Sequence, residues 1–287
     1  MDSERWRELY HMVPRIAKGQ TLKKATYGDA DIVLTYLWSV LQHRPISWAC
    51  QKKNWPLPYR RRPLPDNSTM SRRLRTEGVQ RLLVKIEQWF IETQPARTCR
   101  WIDAKPLPIG RSSKDKQAGY GYANGALACG YKLHAVADAS QGFVAWTIRP
   151  MQTSEMSAAE ELIPRLHDTQ YLVGDGSYDK NRLYDLAGQN DIQLIARQRI
   201  RDAKGIGHRK HSPYRLESLA IQTTPKGKSL VASRNQIECM FGQLTNLGCG
   251  LSPLPNWVRT SFRVENWVRG KMIIYHVWRS LNKRNAS

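Results

Sequence analysis

Tyr171-Leu-Val-Gly-Asp175-Gly-Ser-Tyr178 is a short apolar run that stops at a carboxylate between two glycines. An apolar run of this length bounded by turn residues reads as a buried strand, and the glycines let the backbone turn sharply beyond it. Two further acids stand in distinct settings on either side. Upstream, Cys99-Arg-Trp-Ile-Asp103 reads as another short strand with Asp103 at its end. Downstream, Ser233-Arg-Asn-Gln-Ile-Glu238-Cys-Met-Phe241 lies in a helical run.

The elements between these acids set the fold. Residues 97–102 read as the first strand. Gly130-Tyr-Lys-Leu-His-Ala-Val-Ala137 alternates and reads as the second. Asp138-Ala-Ser-Gln-Gly142 carries turn chemistry, and residues 143–148 form the returning strand. Helices are expected over 155–166 and 180–189, with strands over 170–173 and 191–196. The stretch 197–228 reads as a basic loop, since it holds Gly205, Gly207, Pro213, Pro225 and Gly227. Helix returns over about 229–247. The order is β-β-β-α-β-α-β-α: a three-stranded meander, then alternating helices and parallel strands. The expected fold class is α/β, a ribonuclease-H-like mixed sheet with flanking helices. In such a sheet the first strand lies beside the strand before Asp175. Both aspartates then sit near adjacent strand ends, and Glu238 comes over the same edge.

Residues 1–95 read as a helical, helix-turn-helix-like DNA-binding domain preceding a catalytic domain over 96–250. Asp31-Ile-Val-Leu-Thr-Tyr-Leu-Trp-Ser-Val-Leu41 has helical spacing, with Asp29 or Asp31 as its cap. Trp55-Pro-Leu-Pro-Tyr-Arg-Arg-Arg-Pro-Leu-Pro65 holds four prolines and reads as extended loop. A short helix follows, with Asp66, Asn67 and Ser68 as cap types. It places Ser71, Arg72, Arg73 and Arg75 as DNA contacts beside Arg60, Arg61 and Arg62, because small polar residues followed by arginines suit a recognition helix. An ordinary solvated basic helix would have the same composition. An amphipathic helix over 79–91 leads into the catalytic domain. Residues 251–287 form a basic, Trp-rich helical C-terminal segment. Trp257, Trp267 and Trp278 there read as core anchors before base-stacking residues, and Arg259, Arg263 and Arg269 as grips on phosphate.

The charge balance points to the partner. The 287 residues carry 45 Lys and Arg against 24 Asp and Glu, a net charge of +21. That imbalance favours a polyanion, most often nucleic acid, although a ribosomal or membrane-surface protein has a similar balance. Three blocks hold much of it: 44–75 at +8, 197–228 at +7 and 259–284 at +6. The three acids lie outside all three blocks, as a cation site requires. Five scattered cysteines (50, 99, 129, 239 and 249) without a CxxC pair argue against a disulfide framework and for a reducing cytoplasm. His208 and His211 have no cysteine pair near them, so structural zinc is not expected. No N-terminal apolar core of an export signal and no long apolar run are visible. The expected localisation is cytoplasmic and nucleoid-associated.

Three carboxylates in a basic protein fit phosphoryl transfer on DNA. That chemistry needs an in-line nucleophile and charge stabilisation on the attacking and leaving oxygens. Two Mg²⁺ or Mn²⁺ ions about 3.5–4 Å apart supply it, held by a few carboxylates. Asp103, Asp175 and Glu238 are the expected catalytic residues and metal ligands.

With these residues in place, 97–245 resembles the catalytic domain of prokaryotic insertion-sequence DDE transposases. Ile102-Asp103-Ala-Lys-Pro106 resembles the segment of the first Asp. Lys132-Leu-His134, followed by Asp138 and Gly142, resembles a Lys-x-His and hairpin. Gly174-Asp175-Gly-Ser-Tyr178 resembles the second-Asp segment, and Arg234-Asn-Gln-Ile-Glu238 an Arg-x₃-Glu. Glu155 stands where the family often has Asp. Val231 and Thr245 stand where one branch has Tyr and Lys, so no hairpin-end processing is carried over. The resemblance implies Arg234, Lys132, His134 and Tyr178 as DNA contacts. It implies double-stranded DNA partners (terminal inverted repeats and target) and a homodimer when bound to DNA ends. The activity it implies is cleavage of element ends and joining of the 3′-OH to target DNA. The competing expectations are a catalytically inactive, sequence-specific DNA-binding protein derived from a transposase, and another ribonuclease-H-like nuclease such as a junction resolvase.

Overall fold

The structure is a computed structural model that describes residues 2–18, 25–60, 63–110, 113–123, 125–198, 211–246 and 250–286. The chain begins with helices α1 (Asp2–Ile16), α2 (Asp29–Leu41), α3 (Ile46–Ala49), α4 (Asn67–Arg73) and α5 (Glu77–Glu92). Strands β1 (Cys99–Pro108), β2 (Gly119–Ala123), β3 (Ala126–Asp138) and β4 (Gly142–Pro150) follow. Then come α6 (Glu155–Leu162), β5 (Tyr171–Gly174), α7 (Asn181–Gln189) and β6 (Gln193–Ala196). The chain closes with α8 (Pro213–Thr223), α9 (Pro225–Ser233), α10 (Asn235–Asn246) and α11 (Ser261–Ala286). Among the described residues, no helix is long and apolar enough to cross a membrane.

The chain folds into two compact units. One comprises Met1–Thr93, Asn246–Leu251 and Arg263–Ser287, and the other Gln94–Thr245 and Ser252–Phe262. Most of α11 therefore belongs with the N-terminal helices rather than to a segment of its own. In that helical unit, Trp6, Trp38 and Trp55 pack ring to ring, with centroids 4.9–5.5 Å apart. The indoles of Trp38 and Trp55 donate to the carbonyls of Asn54 and Ala49. Arg269 on α11 pairs with the buried carboxylate of Glu87 on α5 at 2.6 Å.

Two local expectations are corrected here. The cap of α2 is Gly28, whose N–H donates to Asp31, while Asp29 turns to Arg73. The proline stretch is not wholly extended: Leu57–Tyr59 forms a 3₁₀ turn, because proline suits the first positions of a helical turn.

The second unit is built on one mixed sheet. β1 pairs antiparallel with β3 and parallel with β5, and β5 pairs parallel with β6. β4 pairs with residues 131–138 of β3, and β2 with residues 126–130. The meander β1-β3-β4 followed by parallel β5 and β6 is the expected ribonuclease-H-like α/β arrangement. On one face Ile102, Val136, Leu172 and Leu194 pack under Leu162 of α6 and Leu183 and Tyr184 of α7. On α10, Ile237, Met240, Phe241 and Leu244 are buried, with Phe241 against Phe143 of β4 at 5.2 Å.

Three differences from expectation bear on the site. β1 does not stop near Asp103 but runs on to Pro108, because β3 continues beside it after β5 has ended. β2 was not expected, since Gly119 and Gly121 weaken its strand signal. The stretch 197–228 is not all loop: 213–223 and 225–228 are helical. Pro213 and Pro225 open α8 and α9, where a missing N–H costs nothing. Residues 199–210 lie outside the described residues.

Candidate active site

Register places the two aspartates. Trp101 of β1 is aligned with Val173 of β5 in the parallel ladder. Asp103 and Asp175 each follow two residues later, so the two lie at matching heights on neighbouring strands, Asp103 midway along β1 and Asp175 just past the end of β5. Asp103 has a strand partner only on its β3 side, at Ala135, so its other side is open. Ala104 N–H donates to Asp103 Oδ1 at 2.8 Å. Asp175 caps the 3₁₀ turn Gly176–Tyr178: its Oδ1 accepts from the Ser177 N–H at 2.8 Å and from the Ser177 hydroxyl.

The third acid arrives through a long-range tether. Trp101 Nε1 donates to Ser233 Oγ at 2.8 Å, which fixes the end of α9 beside β1. Arg234 follows as the junction between α9 and α10, interrupting the single helix expected there. Its guanidinium lies 3.6 Å from Asp103 Oδ2 and also pairs with Glu238 one turn along α10. Burial pushes the Asp103 carboxyl up to about 6. Ala104 N–H and Arg234 oppose that rise, and Asp175 and Glu238 add to it. Asp175 and Glu238 are thus both near enough to act electrostatically on Asp103. Glu238 remains 52% exposed and is turned to Arg234.

Lys132, His134 and Tyr178 lie on the other face of the sheet, toward α6. Lys132 Nζ pairs with Glu155 at the start of α6, at 2.9 Å. His134 is 0% exposed, and among the described residues neither ring nitrogen has a hydrogen-bond partner. Burial first, then Lys132 and Arg149, holds it down at about 4, against an opposing pull from Glu155. Tyr178 is equally buried, with its hydroxyl unpartnered. Burial and the charges of Asp103, Asp175 and Glu155 raise its phenol well above the usual tyrosine range. Neither His134 nor Tyr178 reaches the surface, so direct contact with DNA is not available to them here.

The expected DNA-contact residues of the helical unit are divided. Ser71, Arg72 and Arg75 are exposed on or just past α4. Arg73 is turned inward, donating to Tyr27 O at 2.9 Å and to buried Asp29 at 2.7 Å. Arg60 donates to the carbonyls of Trp55 and Lys53. Arg61 and Arg62 lie outside the described residues. Sequence reasoning missed Ser177, whose two donors orient Asp175, and Ser233, which holds the Arg234 junction. Lys105 was also missed. It shares the face of Asp103 by period two and sits 5.9 Å over the Phe241 ring.

Hard carboxylate oxygens suit a divalent cation such as Mg²⁺ or Mn²⁺. Asp103 and Asp175 each have one oxygen fixed by an N–H, which orients the other. Among the described residues, no three His, Cys, Asp or Glu side chains are grouped to hold one ion as they stand. Arg234 pairs with both Asp103 and Glu238 and so supplies positive charge beside the acids. The carboxylate chemistry of Asp103, Asp175 and Glu238 suits such an ion, and Glu238 is paired with Arg234 in this arrangement.

Residues 94–275, well over half of the chain, match the family described as "Transposase DDE domain". No curated protein and no solved structure matches the chain.

Proposed function

Because this chain belongs to the transposase DDE-domain family, we propose that it cuts the ends of a mobile DNA element and joins the freed 3′ ends to a target duplex. Members of this family are transposases that work on DNA with divalent metal ions, and this chain is an enzyme of that kind. The observation that carries the finer reading is the alignment of Trp101 with Val173. It sets Asp103 beside Asp175 and within reach of the Arg234–Glu238 pair.

Asp103, Asp175 and Glu238 would hold Mg²⁺ or Mn²⁺, which when bound stabilises charge on the attacking and leaving oxygens. The rest of the work falls to the chain. Ala104 N–H and Ser177 fix the carboxylates, so little reorganisation is left for the reaction itself. Arg234 is ion-paired in the free protein and exchanges carboxylate for DNA phosphate, since guanidinium matches both. That exchange releases Glu238 toward the two aspartates. Water breaks the phosphodiester at an element end and leaves a 3′-OH. The hydroxyl then attacks a target phosphodiester, forming a new phosphodiester and displacing the 3′-hydroxyl of the target strand, so no covalent enzyme intermediate is needed. Lys132, His134 and Tyr178 brace the floor of the site from the α6 face, and their effect on DNA is indirect. In the helical unit, Ser71, Arg72 and Arg75 grip the element ends, with Arg60 beside them. Two ends are paired by a homodimer.

An excision assay tests this. The gene with its native flanks is carried on a plasmid, wild type beside Asp175→Ala, and junctions are sequenced. Junction products from wild type alone are expected, and they reveal the ends. Specific flank binding without products from either protein would refute the catalytic reading and leave a DNA-binding protein.

A further inference from the structure

The proposed chemistry makes no use of the hairpin formed by β2 and the start of β3. Gly119-Tyr-Gly-Tyr-Ala123 alternates small and aromatic residues, and a strand sends alternate side chains to opposite faces. The small row faces inward. A methyl group on Gly121 would lie 2.7 Å from Met151 Cγ and 2.9 Å from Met151 O, and one on Gly119 would strike Gln152. Glycine at both positions lets the hairpin lie tightly on residues 151–152. The aromatic row is thereby presented to solvent. Tyr120 is 68% and Tyr122 78% exposed, and Leu127, aligned with Tyr122, is 67% exposed. Tyr120 and Tyr122 have no ring or hydrogen-bond partner among the described residues.

This row shares a face with the acids. Asp103 is aligned with Ala135, Tyr120 with Cys129 and Tyr122 with Leu127, and odd-numbered residues of β3 here point one way. From Ala135 to Cys129 is about 20 Å at about 3.4 Å per residue. The two tyrosines are about 7 Å apart along β2, near two base steps of about 3.4 Å. Lys114 and Lys116 are exposed just before the hairpin. The carboxylate between them, Asp115, is already taken by the Tyr131 hydroxyl at 2.8 Å and Thr260 N–H at 2.7 Å. Two lysines against this one aspartate leave the border net positive.

We propose that this hairpin face is a stacking platform for unpaired nucleotides of single-stranded DNA, with Lys114 and Lys116 on the phosphates. Every base has a flat face for a tyrosine ring, and a basic border follows the backbone. A second copy of a chain this basic is the poorer occupant, because like charge repels it. The inference rests on the DNA reading above, but its test does not depend on cleavage.

The test is fluorescence anisotropy of a labelled short oligothymidylate with the full chain and chelator present. Wild type is compared with Tyr120→Ala/Tyr122→Ala and Tyr120→Phe/Tyr122→Phe. The alanine pair should weaken binding by about tenfold or more, given the usual worth of one stacked base. The phenylalanine pair should bind as wild type, and duplex affinity should stay unchanged in both. Because binding is read with chelator present, failure of the platform and failure of the catalytic reading are separable. Equal oligothymidylate affinity of the alanine pair and wild type would overturn the proposal. So would a dimer that sediments as monomer once the tyrosines are removed, with single-strand affinity retained.

Discussion

Acidification should weaken the sheet unit through His134. This imidazole is fully buried on β3, and burial together with Lys132 and Arg149 holds it down at about 4 from an ordinary 6.5. Glu155 is the facing acid, and it is already paired with Lys132. Between pH 6.5 and 4 the unfolded chain binds a proton at this residue and the folded chain does not. Stability from this residue is therefore complete above pH 6.5, declines as pH falls through that window, and is fully lost below about pH 4. Each pKa unit is worth about 1.4 kcal/mol, so the whole window amounts to about 3 kcal/mol. His134→Leu removes the proton site and leaves no unpaired ring nitrogen. Urea unfolding of both proteins at several pH values isolates the term, because carboxylates that titrate in the same range are common to both. The wild-type curve should fall relative to His134→Leu by about 3 kcal/mol from pH 7 to 4. A difference that stays flat across the window would show that His134 is not buried as a neutral ring, and the reasoning would fail.

Other outcomes follow from single contacts. Gly174→Ala places a methyl group 2.8 Å from Tyr178 Cδ2 and 3.2 Å from Ile102 Cγ2, so it should cost about 1–3 kcal/mol in a thermal melt. Its strand also leads into Asp175, so DNA cleavage should fall as well. Arg73→Ala leaves the buried carboxylate of Asp29 without its ion pair and should cost about 3 kcal/mol. Adding Asp29→Asn should recover much of that loss, and failure to recover would place the cost elsewhere. Thr224→Ala removes the cap that accepts from Gly227 N–H and should cost about 1 kcal/mol, measured by urea midpoint. Glu238→Ala should abolish strand cleavage on a gel while duplex binding survives, and full cleavage by that variant would remove Glu238 from the site.

Much of the fold was legible because local signals agreed with it. The apolar run before Asp175 is a strand in the structure, and the alternation at 130–137 marks β3. The placement of Asp103 was only half legible. That β1 outlives its neighbour β5 depends on pairing with β3, which no local pattern reports. Proline misled at 213 and 225, where it opens helices instead of breaking them. Glycine hid β2, since the residues that let the hairpin pack closely are those that weaken a strand signal. At the site, residue types were visible and depth was not. Lys132-Leu-His134 reads alike whether the imidazole faces solvent or lies in the core. Likewise, the arginines around α4 look equivalent in sequence, although Arg73 is committed to Asp29.

The Trp101–Ser233 hydrogen bond joins positions 132 residues apart. It therefore gives the protein a timetable. As the chain emerges during synthesis, β1 and β5 can pair and bring the two aspartates together well before residue 233 exists. Ser233, Arg234 and Glu238 arrive last and together, on one short stretch. On the proposed mechanism, a half-made chain holds two of the three carboxylates and cannot cut. Arrested chains ending before residue 233 should resist protease across β1–β6 yet leave DNA intact. On the proposed mechanism, strand cleavage therefore waits until the sheet that carries the two aspartates has formed.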